Sequence, residues 1–443
     1  MRVRTRFAPS PTGFMHIGNL RTALYAYLFA KSNHGDFILR IEDTDQARYV
    51  EGAVDVIKNT LKAAGITPDE GEGFGGKFAP YVQSQRKEIY KKYAEELIEK
   101  GFAYRDEGAI RQKMPKTGET SFRDEIHGVV TIKNEELEDQ ILLKSDGMPT
   151  YNFANVIDDH LMEVTHIIRG TEFITSTPKH VLLYQAFEWD LPTFIHLAPV
   201  MGKNPDGSTS KLSKRHGATS FDDLCKMGYL PEAIVNYVAL LGWNPKTTNQ
   251  EIFSMQELIE NFSADGLSKS PAVFDYDKLD WMNSEYFKAM SLEDFSNRAE
   301  KFLQKKILDD KFEFLMSLLQ TRISKFSEIE SASKFLIALP EFDPSLFVNK
   351  KNKVTIENSR EILPKAIESL EKVENWTNEN LSENLAELIE SLGVKKGLVF
   401  WIVRVAASGQ SVTPGGVTEV LYLLGKDESI SRLKKNLANL ESA

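Results

Sequence analysis

The fold class this sequence predicts is α/β, a parallel sheet with a mixed insertion followed by an all-helical C-terminal part. Three observations predict it: an opening strand, loop, helix and second strand; a middle stretch of mixed segments; and apolar residues at helical spacing beyond Trp281. Val3, Thr5 and Phe7 alternate with Arg2, Arg4 and Arg6, a period of two that reads as a strand reaching toward Pro9. Ser10, Pro11, Thr12 and Gly13 are turn formers, and Leu20, Leu24, Tyr27 and Leu28 then mark the apolar face of a helix ending before Gly35. Residues 37–41 form a second strand, which completes a βαβ unit and starts a Rossmann-like sheet, although the GxGxxG fingerprint is absent from its first turn. From about Tyr90 to Ile195 strands are expected over 129–132 and 141–144 and a helix over 176–187. This region reads as an insertion plus the second half of the sheet. Ile362, Leu363, Ala366, Ile367 and Leu370, and then Leu381, Leu385, Leu388, Ile389 and Leu392, recur with the helical period.

Length and composition bound the function. A chain of 443 residues, 42% hydrophobic and 27% charged, has core enough for two to four domains and is ordinary for a folded soluble protein. Its net charge of -10 excludes a polycation that simply coats nucleic acid. Two segments nevertheless lean positive: residues 1–50 carry seven Lys/Arg against four Asp/Glu, and residues 201–217 carry four against one. A lone Cys225 rules out an internal disulfide and a thiolate-rich zinc site. No apolar stretch approaches the length of a membrane helix, and the N-terminus has no apolar leader core. A cytoplasmic chain with no membrane partner is expected.

Two constellations carry chemistry. Residues 7–19, FAPSPTGFMHIGN, lie between the first strand and the first helix, where unpaired helix N–H groups favour phosphate, Gly13 and Gly18 allow close approach, and His16 faces the anion. Lys211, Leu212, Ser213, Lys214 and Arg215 follow a loop rich in Gly, Ser and Asp. On a mobile loop these cations could fold over a triphosphate and follow charge onto a departing pyrophosphate.

His16-Ile17-Gly18-Asn19 resembles the HIGH signature, with Asn in the last place, and Lys211 to Arg215 resembles the KMSKS signature, of class I aminoacyl-tRNA synthetases. Within that class the chain is similar to bacterial-type glutamyl-tRNA synthetases through Ala8 to Gly13, the run Arg40-Ile41-Glu42-Asp43-Thr44-Asp45, Thr150 to His160, Arg169 to Phe173 and Ser176 to His180. The resemblance implies activation of L-glutamate by ATP to glutamyl-adenylate, with release of pyrophosphate, and transfer to the 3′-terminal adenosine of tRNA(Glu). No protein nucleophile is required, and positioning with charge stabilisation suffices. It implies glutamate binding by Arg6, Ala8, Ser10, Glu42, Tyr151, Asn155 and Arg169. ATP binding falls to His16, Gly18, Glu172, Lys211 and Lys214, with His16, Lys211 and Lys214 as the catalytic groups. Arg6 and Arg169 offer forks for the γ-carboxylate and Glu42 a partner for the α-ammonium. Mg²⁺ is expected with the ATP phosphates, no protein metal site is expected, and a monomer is expected. The implied division is a Rossmann-like catalytic domain over 1–90 and 170–225, a connective, acceptor-binding insertion over 91–169, a stem-contact region over 226–290 and an anticodon-binding region over 291–443.

One departure stands out. Relatives of this type carry a longer stretch, often with cysteines, where Asp106-Glu107-Gly108 here bridges almost directly. Either the connection is genuinely short or the numbering runs across a gap. The second is favoured, because a helical segment ending near Tyr104 must otherwise pass straight into a strand. Among rivals, a glutaminyl-type enzyme would end in β-barrels, a tRNA-modifying paralogue would be shorter, a small nucleotidylyltransferase would lack the helical tail, and a non-catalytic RNA-binding module would have no use for both motifs.

Overall fold

The computed structural model describes residues 2–303 and 311–442, and for Lys214 the backbone alone. Two compact units divide between Met282 and Asn283 rather than at 290/291. In chain order the first runs β1 (Arg4–Phe7), α1 (Ile17–Ser32), β2 (Asp36–Leu39), α2 (Ala53–Ala63), β3 (Glu70–Gly71), α3 (Lys87–Glu99), β4 (Ala103–Asp106), β5 (Ala109–Gln112), β6 (Glu119–Asp124), β7 (Gly128–Lys133) and β8 (Gln140–Leu143). It continues with α4 (Tyr151–Leu161), β9 (His166–Gly170), α5 (Thr177–Phe187), β10 (Thr193–Leu197), β11 (Val200–Lys203), β12 (Thr209–Lys211), α6 (Phe221–Lys226), α7 (Pro231–Ala239), α8 (Met255–Asn261) and β13 (Ala272–Val273).

β1 and β2 pair in parallel from Arg4 opposite Asp36 to Phe7 opposite Leu39, and β3 adds to β2. A second sheet has the order β7-β6-β10-β9, in which β10 is parallel to both β6 and β9. The two meet where Thr165, just before β9, accepts the Arg4 N–H at 2.8 Å and returns its own N–H to the Arg4 carbonyl at 3.0 Å. The order β3-β2-β1-β9-β10 therefore reverses between β1 and β9, and the crevice beyond the carboxyl ends of these two strands is the place where such sheets bind ligands.

α1 is capped by His16 and Asn33, close to the expected limits. Its expected apolar stripe is an understatement. Ten of its sixteen residues are buried, because β1 and β9 lie on one side and α7 and α8 on the other. Ile17, Leu20, Leu24 and Leu28 are wholly buried, and each such side chain contributes about 1.5–3 kcal/mol. The second strand stops at Leu39, and Ile41 keeps only a bridge to Val82.

β4, β5 and β8 form a separate three-stranded sheet, but the stretch 91–169 does not stand apart as a whole. β6 and β9 hydrogen-bond to β10 within the parallel sheet, a choice of partner that local periodicity does not encode. The short join takes the form of a tight hairpin. α3 stops at Glu99 rather than near Tyr104, and the chain enters β4, which pairs antiparallel with β5 from Ala103 opposite Gln112 to Asp106 opposite Ala109. Glu107 (φ 45°) and Gly108 (φ 83°) are the two central residues of this hairpin, both with the positive φ a type I′ turn requires. In the sequence as it stands, the connection is a two-residue hairpin.

In the second unit the named elements are helical, among them Ile356–Glu371, Asn378–Leu392 and Lys396–Ser408. Leu363, Leu370, Leu381, Leu385, Val399, Ile402 and Leu433 form its core, which includes residues the periodicity singled out. No helix among the described residues is long and apolar enough to cross a membrane.

Candidate active site

A cavity of about 490 Å³ opens at the carboxyl ends of β1 and β9. Arg6, Ala8, Ser10, His16, Gly18, Glu42, Tyr151, Arg169, Glu172 and Lys211 all line it. Chain folding thus brings together candidates up to 205 positions apart in the sequence, from Arg6 to Lys211. Asn155 is not on the wall. It stands behind Glu42 and donates to its Oε1 at 3.0 Å. The side chain of Lys214 lies outside the described residues, and its backbone starts a 3₁₀ turn, Lys214–His216.

His16 caps α1. The Gly18 N–H donates to its Nδ1 at 3.2 Å, which makes Nδ1 an acceptor and places the ring proton on Nε2. Burial, and then the nearby Lys211 cation, hold the imidazole below its ordinary pKa of 6.5, so the ring is neutral and offers an Nε2–H donor. Lys211 lies 3.9 Å from Glu172 across the mouth, both exposed. The His216 ring packs on Gly202 of β11, where a Cβ would come within 2.5 Å of it. The same ring hydrogen-bonds Asn204 and the Ser213 N–H, which pins the KLSKR segment to the β11–β12 hairpin.

Beneath the cavity lies a buried ionic network. Arg40, on the chain just after β2, donates to Glu42 at 2.9 Å and to Asp159 at 2.8 Å. Arg6 grips Asp159 with both Nε, at 2.9 Å, and Nη2, at 3.2 Å. Asp159 thus takes one face of its fork, and Nη1, beside the pocket, donates to the Ile168 carbonyl at 3.4 Å. Burial pushes the Glu42 carboxyl up, against the pull of Arg40 and Arg6. Burial acts the same way on Asp159, but Arg6 and Arg40 outweigh it and hold that carboxyl below its usual value.

Arg169, at the end of β9 and 4% exposed, is in a different position. It donates from Nε to His196 Nε2 at 3.1 Å, from Nη1 to His180 Nδ1 at 3.3 Å and from Nη2 to the Thr177 hydroxyl at 2.8 Å. Among the described residues no carboxylate lies within ion-pair distance. Burial pulls its pKa down, and the Tyr151 hydroxyl, which also hydrogen-bonds it, is the largest opposing influence. A buried cation held only by neutral groups, beside a cavity, is incomplete without an anion.

Asp159, Arg40, His180, His196, Asp124 and Arg21 were not assigned roles from sequence. Arg40, Asp159 and His180 lie inside the quoted motifs, so a signal existed there. His196 and Asp124 carry none. The cavity's own carboxylates are Glu42, engaged by Arg40 and Asn155, and Glu172. No group of three or more His, Cys, Asp or Glu side chains among the described residues forms a metal cage.

Comparison with known proteins agrees with this geometry. The family described as tRNA synthetases class I (E and Q), catalytic domain, matches residues 2–109 and 106–281, and the anticodon binding domain family matches 284–437. The two catalytic matches meet at the β4–β5 hairpin. The chain is 50% identical to the glutamate–tRNA ligase of Clostridium botulinum (strain Eklund 17B / Type B) over 99% of each chain, in an alignment of 487 positions. It is 48% identical to that of Clostridium tetani (strain Massachusetts / E88), over 100% of this chain and 98% of the other. A crystal structure of a glutamate tRNA ligase from Elizabethkingia meningosepticum CCUG26117, in complex with its amino acid, superposes with a TM-score of 0.88 at 34% identity, covering 99% of this chain and 100% of that one. At this identity over nearly the full length, and with the family's catalytic and anticodon-binding domains both matched, the chain belongs to the class I glutamate–tRNA ligases.

Proposed function

We propose that the cavity activates L-glutamate with ATP and that Arg169 reads the side-chain carboxylate. The single observation that carries this reading is the buried guanidinium of Arg169 with no carboxylate against it. A glutamate γ-carboxylate supplies the missing charge through the N–H groups that Arg169 does not spend on His196, His180 and Thr177, with Arg6 Nη1 and Tyr151 beside it. The α-ammonium faces Glu42, which Arg40 and Asn155 hold in place. The substrate α-carboxylate oxygen then forms a bond to the α-phosphorus of ATP while the bond to pyrophosphate breaks. The terminal ribose hydroxyl of tRNA(Glu) next takes the acyl group and releases AMP.

His16 Nε2–H and the N-terminal N–H groups of α1 meet the phosphates, and Lys211 and Lys214 meet the charge growing on pyrophosphate, as preorganised donors should. Ala8, Ser10 and Gly18 leave backbone close to the ligand. Mg²⁺ would take its oxygens mainly from phosphate and water, with Glu172 the cavity carboxylate not committed to an arginine. Every assigned group comes from one chain, so a monomer suffices, and a cytoplasmic setting fits a tRNA-charging enzyme with a single cysteine. The insertion receives the acceptor end, the stem follows over 226–290, and the helical unit reads the anticodon.

The deciding experiment is aminoacylation of purified tRNA(Glu) and tRNA(Gln), each with glutamate and with glutamine. Glutamate should be charged onto tRNA(Glu) and free glutamine onto neither. Charging of glutamine at comparable kcat/KM would overturn the assignment of Arg169.

A further inference from the structure

The way Arg169 is held differs from the way its neighbours are held. Arg6 and Arg40 are gripped directly by Asp159. Arg169 has its negative charge one imidazole ring away. Asp124, at the end of β6, accepts from His196 Nδ1 at 2.7 Å, and His196 Nε2 faces Arg169 Nε at 3.1 Å. Asp124, His196 and Arg169 are all at least 96% buried. The direction of each bond is forced. Burial tends to raise the Asp124 carboxyl, but bonds from His196 and from the His127 and Ile126 N–H groups bring it below its ordinary value, so it is an ionised acceptor. His196 Nδ1 must then bear the proton, and Nε2 presents its lone pair to the arginine. Thr177 spends its own proton on the Phe173 carbonyl at 2.8 Å and so also accepts from Arg169.

The second histidine is oriented by a chain of amides. Gln140 Nε2 donates to Gln112, Asn152 Nδ2 donates to Gln140 Oε1 at 3.0 Å, and Asn152 Oδ1 accepts from His180 Nε2 at 2.9 Å. His180 Nδ1 is left as a lone pair toward Arg169 Nη1.

We propose that His196, set by Asp124, and His180, set by Asn152, are positioning residues for substrate selection. They fix the guanidinium of Arg169 in one orientation while keeping any protein carboxylate off its cavity side. A carboxylate gripping Arg169 directly, as Asp159 grips Arg6, would compete with the substrate for the same fork. A neutral lone pair backed by a distant charge keeps the arginine oriented and the fork open. This inference rests on the reading of Arg169 as the γ-carboxylate reader.

Two variants of one residue test it. In His196→Gln an amide oxygen can take the place of Nε2 and still accept from Arg169, whereas in His196→Asn the amide reaches only the Nδ1 place and the acceptor is lost. Asp124 keeps its three backbone bonds in both. Aminoacylation of tRNA(Glu) is measured for both variants with glutamate and glutamine, together with the ATP KM and the thermal midpoint. His196→Asn should raise the glutamate KM roughly ten- to a hundredfold, as loss of a hydrogen bond to a charged group does, and shrink the preference for glutamate over glutamine. The ATP KM and midpoint should hold, and His196→Gln should stay within about threefold of the parent. Equal losses in the two variants, an unchanged glutamate KM in His196→Asn, or an ATP KM that rises in step would overturn the proposal. A parent enzyme that charges glutamine as well as glutamate would instead defeat the reading of Arg169 itself.

Discussion

Replacing Arg169 by Gln tests the site at its centre. The parent side chain is 4% exposed and spends three donors on His196, His180 and Thr177. Glutamine is neutral and shorter, so its amide ends near the place of Nε and reaches neither His180 nor Thr177. A glutamate γ-carboxylate would enter a dry pocket without its cation, and breaking one side of a buried charge pair costs about 3–5 kcal/mol. At 1.36 kcal/mol per factor of ten, that is roughly 10²–10⁴ in kcat/KM for glutamate. For glutamine the variant removes only a hydrogen bond to a neutral amide, about 0.5–1.5 kcal/mol, or roughly tenfold at most. The preference for glutamate should therefore narrow by about 10–10³. The assay is aminoacylation with tRNA(Glu) under limiting concentrations of each amino acid. An unchanged ratio, with both substrates losing equally, would show that selectivity resides elsewhere, with Tyr151 or Arg6 Nη1 next in line.

Lys214→Ala should slow adenylate formation by about 2.7–4 kcal/mol in barrier while leaving the glutamate KM nearly unchanged, read by ATP–pyrophosphate exchange with tRNA present. Intact mass decides the join at Glu107-Gly108: a mass several kDa above 50.1 kDa shows that residues intervene there, and a mass of 50.1 kDa shows a genuine shortening. Because Gly108 sits at φ 83°, Gly108→Val should cost about 1–2 kcal/mol and lower the thermal midpoint, whereas Gly108→Asn should be nearly neutral. Burial, first of all, pulls His180 and His196 below 6.5, and Arg169 adds to the effect in both. The unfolded chain therefore binds protons that the fold refuses. Their stabilisation is fully present above about pH 6.5 and is lost as pH falls from there through the folded values. Denaturant midpoints measured from pH 8 to pH 5 should decline below pH 6.5, and His196→Gln should flatten that decline.

Much of this protein was legible as text because its determinants are local. Alternation from Arg2 to Phe7 and the turn formers before Leu20 specify the βαβ start, and helical periods such as Leu381, Leu385 and Leu388 specify the second unit, since backbone sterics and side-chain period act over a few residues. The two signature segments marked parts of the cavity wall, because a helix N-terminus and a basic loop carry their chemistry in contiguous residues. The partners of charge were not legible. Nothing near Arg6 in the chain announces that Asp159 occupies its fork, or that Arg169 on the adjacent strand β9 is left without a carboxylate. Asp124 and His196 stand 72 positions apart on strands that neighbour each other only because β6 pairs with β10. Whether a buried arginine is satisfied or waiting depends on which carboxylate the sheet order brings within 3 Å. That order follows from the pairing of strands distant in sequence, so tertiary structure alone decided which arginine was left without a carboxylate.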